Sequence, residues 1–239
     1  MKVTPIKTRV FKEGEDLLAF IKKHVPKLKE GSILVVTSKI VALAEGRTAL
    51  PKDAGKIIRA ESEWVQKTKW GKITLKDGMY MWNAGIDASN ADGKVVLLPK
   101  DSFASAKKLY TSVLQKTAIG KLGVIITDSR IMPLRAGVVG VALGYAGFKG
   151  LRDYRGEKDI FGRKLKYTQT DMADALATAA IAVMGEGNER QPICIIEDAP
   201  VEFTNRINKR ELLVSPKDDM YGPLFQTGQV RVSRRKKKR

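Results

Sequence analysis

The chain has 239 residues, with 44 Lys or Arg against 26 Asp or Glu, so its formal net charge is +18. Its hydrophobic share of 43% is too high for a disordered chain. No apolar run reaches the roughly 18 residues of a membrane-spanning helix, and the N-terminus lacks the apolar core of a signal peptide. These features predict a cytoplasmic globular protein that does not enter a membrane.

The chain contains one cysteine and one histidine, which limits the chemistry open to it. Cys194 lies in the apolar run 193–196 and is predicted to be a buried thiol in a reducing compartment. His24 follows apolar residues of helical spacing, which favours a solvated helix position over a ligand or catalytic role. A histidine-rich metal site is therefore excluded.

Short apolar runs and amphipathic stretches alternate along the chain, which predicts a mixed α/β or α+β fold. The predicted strands span residues 33–37, 72–75, 79–82, 95–98, 123–127 and 192–196. The predicted helices span residues 56–67, 104–117 and 171–183, the last with Thr170 as its N-cap. Ser38 and Lys39 are interpreted as a turn. Residues 137–147, in which glycines separate small apolar residues, fit either a helix or a strand.

The first of three polar loops, residues 83–90, follows a predicted strand and holds Asp87 among small and amide residues. Such a loop can simply form turns in which side chains bond their own backbone. Asp87, with Asn83 and Asn90, would equally supply hard oxygen ligands and amide donors. Both interpretations stay open at this point.

The other two polar loops follow strongly apolar segments. Asp128 and Ser129 come directly after the predicted strand 123–127, and Glu186 lies in a glycine-flanked loop after the last predicted helix. Each acid taken alone fits an ordinary cap or helix end. Together with Asp87 they offer oxygen ligands in a chain without usable His or Cys ligands, which favours Mg²⁺ or Mn²⁺.

Seven of the positive charges lie in the last nine residues, 231–239, which contain no acidic residue. A like-charged terminal block repels itself and is predicted to be disordered. It fits either a solvated tail or a tail that binds RNA or DNA by counterion release. The other 230 residues keep a charge of +11, which suits anionic ligands, including nucleotides. The sequence contains neither a P-loop nor a Rossmann fingerprint.

Several blocks of the sequence resemble the coenzyme F-420-0:L-glutamate ligase family, the γ-glutamyl ligases of deazaflavin biosynthesis. The blocks occur in the family's order and cover roughly residues 3–197. They comprise residues 35–41, 44–47, 83–90, 97–99, 104–106, 123–128 and 153–163, and the alanine-rich helix that leads into 183–186.

The resemblance implies an α+β fold with mixed sheets that forms an intertwined homodimer. It also implies a reaction that uses GTP and a divalent metal, Mg²⁺ or Mn²⁺, and it leaves open whether K⁺ takes part as a further ion. A substrate carboxylate becomes an acyl phosphate, and the amino group of L-glutamate then attacks it, giving an amide, GDP and phosphate. The implied small-molecule substrates are a nucleotide, glutamate and a carboxylated acceptor similar to F-420-0.

The same resemblance assigns roles to individual residues. Asp87 and Asp128 look like ligands of one metal, and Ser129, where the family usually has Thr, looks like a ligand of a second metal with Glu186. Lys39 joins Asp87 and Asp128 as the catalytic residues. Nucleotide contacts are implied for the segments 9–12 and 184–191, and for these single residues: Ser38, Lys39, Asn90, Met184, Gly185, Glu186, Gly187 and Asn188.

The chain departs from the family pattern after Asp128 and Ser129. Where the family continues with an aromatic residue, Gly, Arg, Pro, an aromatic residue and Arg, this chain has Arg130, Ile131, Met132, Pro133, Leu134 and Arg135. Arg130 is a candidate for a relocated positive charge, and Leu43 replaces an expected lysine. These changes spare the metal ligands and alter the expected nucleotide and acceptor contacts.

Three functions therefore stay open: a ligase that acts on an F-420-0-like acceptor, a related ligase with another acceptor or amino acid, and a nucleic-acid-binding protein on an inactive ligase scaffold. The predicted domain organisation has three parts. Residues 1–200 form the catalytic region, as one piece or as two interlocked subdomains. Residues 201–230 form an extension of unknown role, and residues 231–239 form the basic tail.

Overall fold

The computed structural model describes residues 1–25 and 27–226, so the basic tail 231–239 and its predicted disorder lie outside the described residues. The chain forms two compact units. One unit comprises residues 1–47 and 98–212, and the other comprises residues 48–97 with the segment that starts at 213. The mixture of helices and sheets confirms the predicted α+β class. Within the described ranges, no helix is long and apolar enough to cross a membrane.

The first unit contains these strands: β1 (Lys2–Ile6), β2 (Ser32–Thr37), β8 (Leu122–Ile131), β9 (Val138–Ala146), β10 (Leu151–Asp153), β11 (Gln169–Asp171) and β12 (Ile193–Glu197). Its helices are α1 (Leu17–His24), α2 (Ser38–Ala44), α4 (Ser102–Leu114) and α5 (Met172–Met184). The second unit contains β3 (Thr48–Ala49), α3 (Ala54–Ala60), β4 (Trp64–Lys67), β5 (Lys72–Lys76), β6 (Met79–Trp82), β7 (Val95–Val96) and α6 (Gly222–Gln226).

A five-stranded sheet in the order β1-β12-β2-β8-β9 forms the centre of the first unit. The central pair, β2 and β8, is parallel, and all the other pairs are antiparallel. Because successive residues of a strand point to opposite faces, β2 supplies both cores. Leu34 and Val36 pack with α1 and α4 on one face, while Ile33 and Val35 pack with α5 on the other. Both faces are covered, which explains why β2 reads as a continuous apolar run.

Helix α5 packs very closely on β9. A side-chain carbon at Gly140 would lie 2.4 Å from the carbonyl oxygen of Ala177, so no larger residue fits there. The hydroxyl of Thr178 donates to the carbonyl oxygen of Gly140 over 2.7 Å, and the Asp174 carboxylate accepts from the Ala142 amide over 2.8 Å. The helix is therefore fixed along the strand that pairs with β8.

The second unit has a three-stranded antiparallel sheet in the order β4-β5-β6 and a short β3–β7 ladder. A small core of Ile58, Ala84, Ile86, Val95 and Leu97 lies beneath the loop that follows β6. This core holds the backbone on both sides of the polar loop 83–90.

The structure corrects three local predictions. The predicted helix 56–67 is wrong beyond Ala60, because residues 64–67 pair with β5 as a strand. Ser38 and Lys39 do not form a turn but begin α2, directly after β2. The N-cap of α5 is Asp171 and not Thr170, because the Asp171 carboxylate accepts from the Asp174 amide.

Other predictions are confirmed or resolved. Residues 138–146 form a strand, which decides the open choice for residues 137–147. Cys194 is a buried free thiol, as predicted. His24 lies on a helix as predicted but is half-buried, with its ring 4.3 Å from the ring of Phe20. Strand β1 was not predicted, because Pro5 and flanking charges obscure an edge strand.

Candidate functional site

The parallel pairing of β2 with β8 brings together two of the predicted site residues. The two strands are parallel and in register, with Thr37 opposite Thr127, so the residues that follow them emerge at the same sheet edge. Ser38 Oγ donates to Asp128 Oδ1 over 3.1 Å, although 90 residues separate them in sequence. Functional side chains often lie at such strand ends, because a rigid sheet positions them.

Asp128 is largely enclosed by protein and keeps 24% of its side-chain surface exposed. Burial raises the pKa of this carboxyl group, and four groups oppose that rise: the Arg130 guanidinium, the Ser38 hydroxyl, the Ser129 amide and the Lys39 ammonium group. A carboxylate in such surroundings gains most from a cation bound to it, because it has lost part of its hydration.

Ser129 and Glu186 form a second pair next to the first. Ser129 Oγ donates to Glu186 Oε2 over 3.1 Å. Ser129 neighbours Asp128 on β8, and Glu186 follows the C-terminal end of α5, so sheet and helix together place this contact. Two separate polar pairs, Ser38 with Asp128 and Ser129 with Glu186, thus lie at consecutive residues of β8, whose side chains point to opposite faces of the strand.

The glycine-flanked loop after α5 is closed by an acid that the sequence did not single out. Glu189 Oε2 accepts from the Gly187 amide over 2.8 Å. The same carboxylate lies over Gly185, where an added side-chain carbon would be 2.4 Å from Glu189 Cδ. With φ at 80°, Gly185 also adopts a conformation that favours glycine. The spacing Gly-x-Gly-x-Glu is the sequence signal that could have pointed to this contact.

The other residues that are predicted to contact the nucleotide differ in the exposure of their side chains. Met184, the last residue of α5, is buried in the core, whereas Asn188 is exposed. In the segment 9–12, the Arg9 guanidinium pairs with Glu15 and lies 5.0 Å from the centre of the Phe20 ring. These interactions fix the segment against α1.

Asp87 and Asn90 belong to the second unit. Asp87 Oδ1 accepts from the Ser89 amide over 2.8 Å, and the Asp87 carboxylate also accepts from the Ser89 hydroxyl. The side chains of Asp87 and Asn90 are exposed, and Asn90 has a positive φ of 50°. The loop therefore forms a self-bonded turn, the first of the two interpretations of its composition, and Asp87 is exposed on this turn.

The start of this loop has a clear structural role. Asn83 Oδ1 accepts from the Lys72 amide over 3.0 Å, and the Ala84 amide donates to Thr74 Oγ1 over 2.8 Å. Asn83 and Ala84 both have positive φ angles, of 47° and 56°. Asn83 thus ties the loop to β5, which accounts for an amide side chain at this position without a ligand.

Two other blocks that carry the family resemblance contact each other in the first unit. The Glu45 carboxylate accepts from the Lys100 amide over 2.8 Å and from the Ser105 hydroxyl over 2.7 Å. The Arg47 guanidinium donates to the carbonyl oxygen of Leu98 over 3.1 Å. These residues serve to join α2 to the start of α4.

The hairpin between β8 and β9 carries the departures from the family pattern. Met132 and Leu134 are exposed, and Leu134 has a positive φ of 57°. Arg130, in contrast, is only 8% exposed. Burial lowers the pKa of Arg130, while the carboxylates of Asp128 and Asp174 oppose that shift. The sequence analysis did not identify Asp174, because no nearby residue distinguishes it from an acidic residue on the surface of a helix.

The side chains around the end of β8 offer hard oxygen donors that fit Mg²⁺ or Mn²⁺. Within residues 1–25 and 27–226, no three His, Cys, Asp or Glu side chains group closely enough to hold a metal by themselves. Mg²⁺ commonly takes only one or two carboxylates and completes its shell with water and substrate phosphates. Asp128 beside Ser38, and Glu186 beside the Ser129 hydroxyl, each offer donors of that kind.

Comparison with known proteins identifies the family. Residues 49–198 match the family described as "F420-0:Gamma-glutamyl ligase". The chain is 43% identical over 215 residues to the "Coenzyme F420:L-glutamate ligase" of Methanococcus maripaludis strain C7, covering 87% of this chain and 86% of that protein. It is 32% identical over 247 residues to the protein of the same name from Methanopyrus kandleri, covering 92% and 97%. The chain therefore belongs to the F420-0:gamma-glutamyl ligase family.

Proposed function

We propose that this protein is a GTP- and metal-dependent ligase that joins L-glutamate to a carboxylated acceptor similar to F-420-0. The arrangement at the end of β8 supports this function most directly, because it gathers the Ser38 hydroxyl and the Lys39 charge around the Asp128 carboxylate. The names of the relatives, which state coenzyme F420 and L-glutamate, support the choice of substrates.

The reaction has two steps. An oxygen of the acceptor carboxylate attacks the γ-phosphorus of GTP, and GDP leaves. The nitrogen of glutamate, after losing its extra proton to solvent, then attacks the carbonyl carbon of the acyl phosphate, and phosphate leaves. Phosphorylation makes the second step possible, because phosphate is a far better leaving group than the oxygen of a free carboxylate.

Asp128 would hold one divalent cation, and Ser129 with Glu186 would hold a second. When bound, the metal offsets the negative charge that develops on phosphate oxygens. Ser38 orients Asp128 through its hydrogen bond, and Lys39 adds positive charge near that carboxylate. The shared ligation of one metal by Asp87 and Asp128, and nucleotide contacts from Asn90 and the loop 184–191, remain part of the proposal.

The test is incubation of the purified protein with GTP, Mg²⁺ or Mn²⁺, L-glutamate and F-420-0. We expect release of one GDP for each acceptor that gains a glutamyl group, measured by chromatography and mass spectrometry. Parallel reactions in which ATP replaces GTP show which nucleotide the protein uses. Reactions with and without K⁺ show whether this ion is required. Absence of both GDP release and product would contradict the proposal for this acceptor.

The exposed apolar residues Met132 and Leu134 favour a second candidate, a family-related ligase with another acceptor or amino acid. They replace an arginine and an aromatic residue of the family pattern at the tip of the hairpin. We expect such an enzyme to use GTP with a cell extract as the acceptor source but not with F-420-0. The extract reaction is followed by mass spectrometry, and no nucleotide-dependent mass gain would contradict this candidate.

We also propose that the protein is a homodimer, as the family resemblance implies. Light scattering on the eluate of a size-exclusion column gives the molar mass directly. A mass near twice the 26.4 kDa of the chain is expected, and a monomer at micromolar concentration would contradict it.

A further inference from the structure

Arg130 is a buried arginine beside the Asp128 carboxylate. It follows Asp128 by two residues on β8, so both side chains leave the strand on the same side. Arg130 is 8% exposed, and its Nη1 lies 3.9 Å from Asp128 Oδ2. That distance is too long for a hydrogen bond, so the guanidinium neighbours the carboxylate without forming the two-bond pair that arginine usually makes.

The second amino nitrogen of this guanidinium has no partner. Nη2 of Arg130 is buried, and no hydrogen-bond acceptor contacts it in the described part of the chain. A buried donor without an acceptor destabilises the folded state, and more strongly when it carries charge. Native proteins seldom keep such a donor, so an acceptor from outside the chain is the physical expectation.

The nearest acidic groups of the first unit do not supply that acceptor. Asp128 Oδ1 already accepts from Ser38, and Asp174 Oδ1 accepts from the Ala142 amide. A guanidinium stays charged in proteins. The charge of Arg130 is therefore kept, while its Nη2 has no acceptor among the described residues.

We infer that Arg130 is a substrate-binding residue that donates through Nη2 to an anionic oxygen, of a phosphate or a carboxylate, bound at the end of β8. This inference rests on the proposed ligase function and assigns one more residue to it. The planar fork of arginine fits both groups. Asp128, whose Oδ2 lies 3.9 Å from Arg130 Nη1, keeps 24% of its side-chain surface exposed, so a ligand that reaches this carboxylate lies next to the guanidinium.

The two sources of such an oxygen are the nucleotide phosphates and the carboxylates of glutamate or the acceptor. Equilibrium binding without turnover separates them. Isothermal titration with GDP and a non-hydrolysable GTP analogue in the presence of Mn²⁺ measures the first source. Titration with L-glutamate and with F-420-0 measures the second. The proteins compared are wild type, Arg130→Gln, Arg130→Lys and the control Arg59→Gln, which changes an exposed arginine of α3.

We expect Arg130→Gln to weaken one class of ligand by about tenfold, the loss of one hydrogen bond to a charged group. The other class should stay within about twofold of wild type, as should every ligand with Arg59→Gln. Arg130→Lys should lie between, because it keeps the charge and loses the fork. If circular dichroism shows that Arg130→Gln does not fold, the test uses Arg130→Lys instead. For this variant we expect the affinity for one class of ligand to fall by about fivefold.

Two results would overturn the inference alone: unchanged affinity for every ligand, or an equal loss for all of them together with a lower melting temperature, which indicates a structural role. A wild-type protein that binds none of the four ligands would instead contradict the ligase function, and the role of Arg130 with it. Selective loss identifies the bound oxygen as that of a phosphate or of a carboxylate.

Discussion

Ser38 and Asp128 are joined by a hydrogen bond of 3.1 Å, and each directly follows a threonine, Thr37 or Thr127, at the last paired position of the parallel strands β2 and β8. Since the strands are adjacent and in register, the contact is fixed by the sheet rather than by a loop. Ser38 is buried, so its hydroxyl has little freedom to bond water instead. This pair forms the most rigid part of the candidate site.

Replacement Ser38→Ala should lower the free energy of unfolding by about 1–2 kcal/mol, because Asp128 loses a donor in a partly desolvated position. Urea unfolding followed by circular dichroism measures the change. Ser129→Ala is the matched control, since it removes a hydroxyl that bonds the exposed Glu186 and should cost less than about 1 kcal/mol. An equal decrease in the free energy of unfolding for the two variants would contradict a stronger contribution from the hydrogen bond between Ser38 and Asp128.

Replacement Asp128→Asn should abolish metal binding at the end of β8 and reduce ligase activity by about 100-fold or more. The amide keeps the shape of the side chain but removes the charge that would hold the cation. Binding of Mn²⁺ is measured by electron paramagnetic resonance, independently of turnover. Asp53→Asn changes an exposed acid without a capping hydrogen bond and should leave both quantities unchanged. Retention of full Mn²⁺ affinity by Asp128→Asn would remove Asp128 from the proposed ligand set.

Replacement Gly140→Ala should destabilise the first unit by about 1–3 kcal/mol, since its methyl carbon would lie 2.4 Å from the carbonyl oxygen of Ala177. Helix α5 must then move away from β9, and the position of Glu186 moves with it. Gly120→Ala is the control, because the nearest atom to its added carbon is a flexible Glu30 oxygen at 3.6 Å. A melting temperature of Gly140→Ala equal to that of Gly120→Ala would contradict the close packing.

The pH dependence of stability should carry a contribution from Asp171, the N-cap of α5. Burial, together with the nearby Asp174 charge, raises the pKa of Asp171 to about 6 in the folded protein, above its ordinary value of 3.8. A carboxyl group with a raised folded-state pKa favours folding in its protonated form. Its contribution is therefore fully present below about pH 4 and is lost as the pH rises through about 6.

Replacement Asp171→Asn should remove this loss, because asparagine also caps helices and does not ionise. The free energy of unfolding, from urea titrations at pH 4 to pH 8, should fall less with rising pH in Asp171→Asn than in wild type. The difference between the two proteins is the relevant quantity, since other acids contribute equally to both. Parallel curves would contradict a raised pKa at Asp171, and a carbon-13 titration of its carboxyl group provides a direct check.

Local patterns predicted the main strands well, because a strand buried on both faces must be apolar throughout. This holds for β2 and for the first part of β8. The same reasoning failed at residues 64–67, where apolar spacing fits a helix and pairing with β5 makes a strand. Strand propensity depends strongly on neighbours, so a short segment without its partner strand is ambiguous.

For the candidate site, the sequence singled out Asp87, Asp128 and Glu186 but did not show what surrounds each one. The Asp87 loop closes on itself through Ser89, a purely local interaction that its composition predicts. Burial of Arg130 could not be predicted in this way, because a charged residue in an alternating strand normally points to solvent. Its burial depends on the packing of α5 and the hairpin partner around β8.

The sequence by itself determined the family, the positions of the strong apolar strands and the three loops that carry the acids, because each is encoded by residues close together in the chain. Only the tertiary structure decided which polar groups meet. The contacts of Ser38 with Asp128 and of Ser129 with Glu186 join residues 90 and 57 positions apart. Such contacts arise from strand order and helix packing, which balance many weak interactions across the whole unit and leave no local signature.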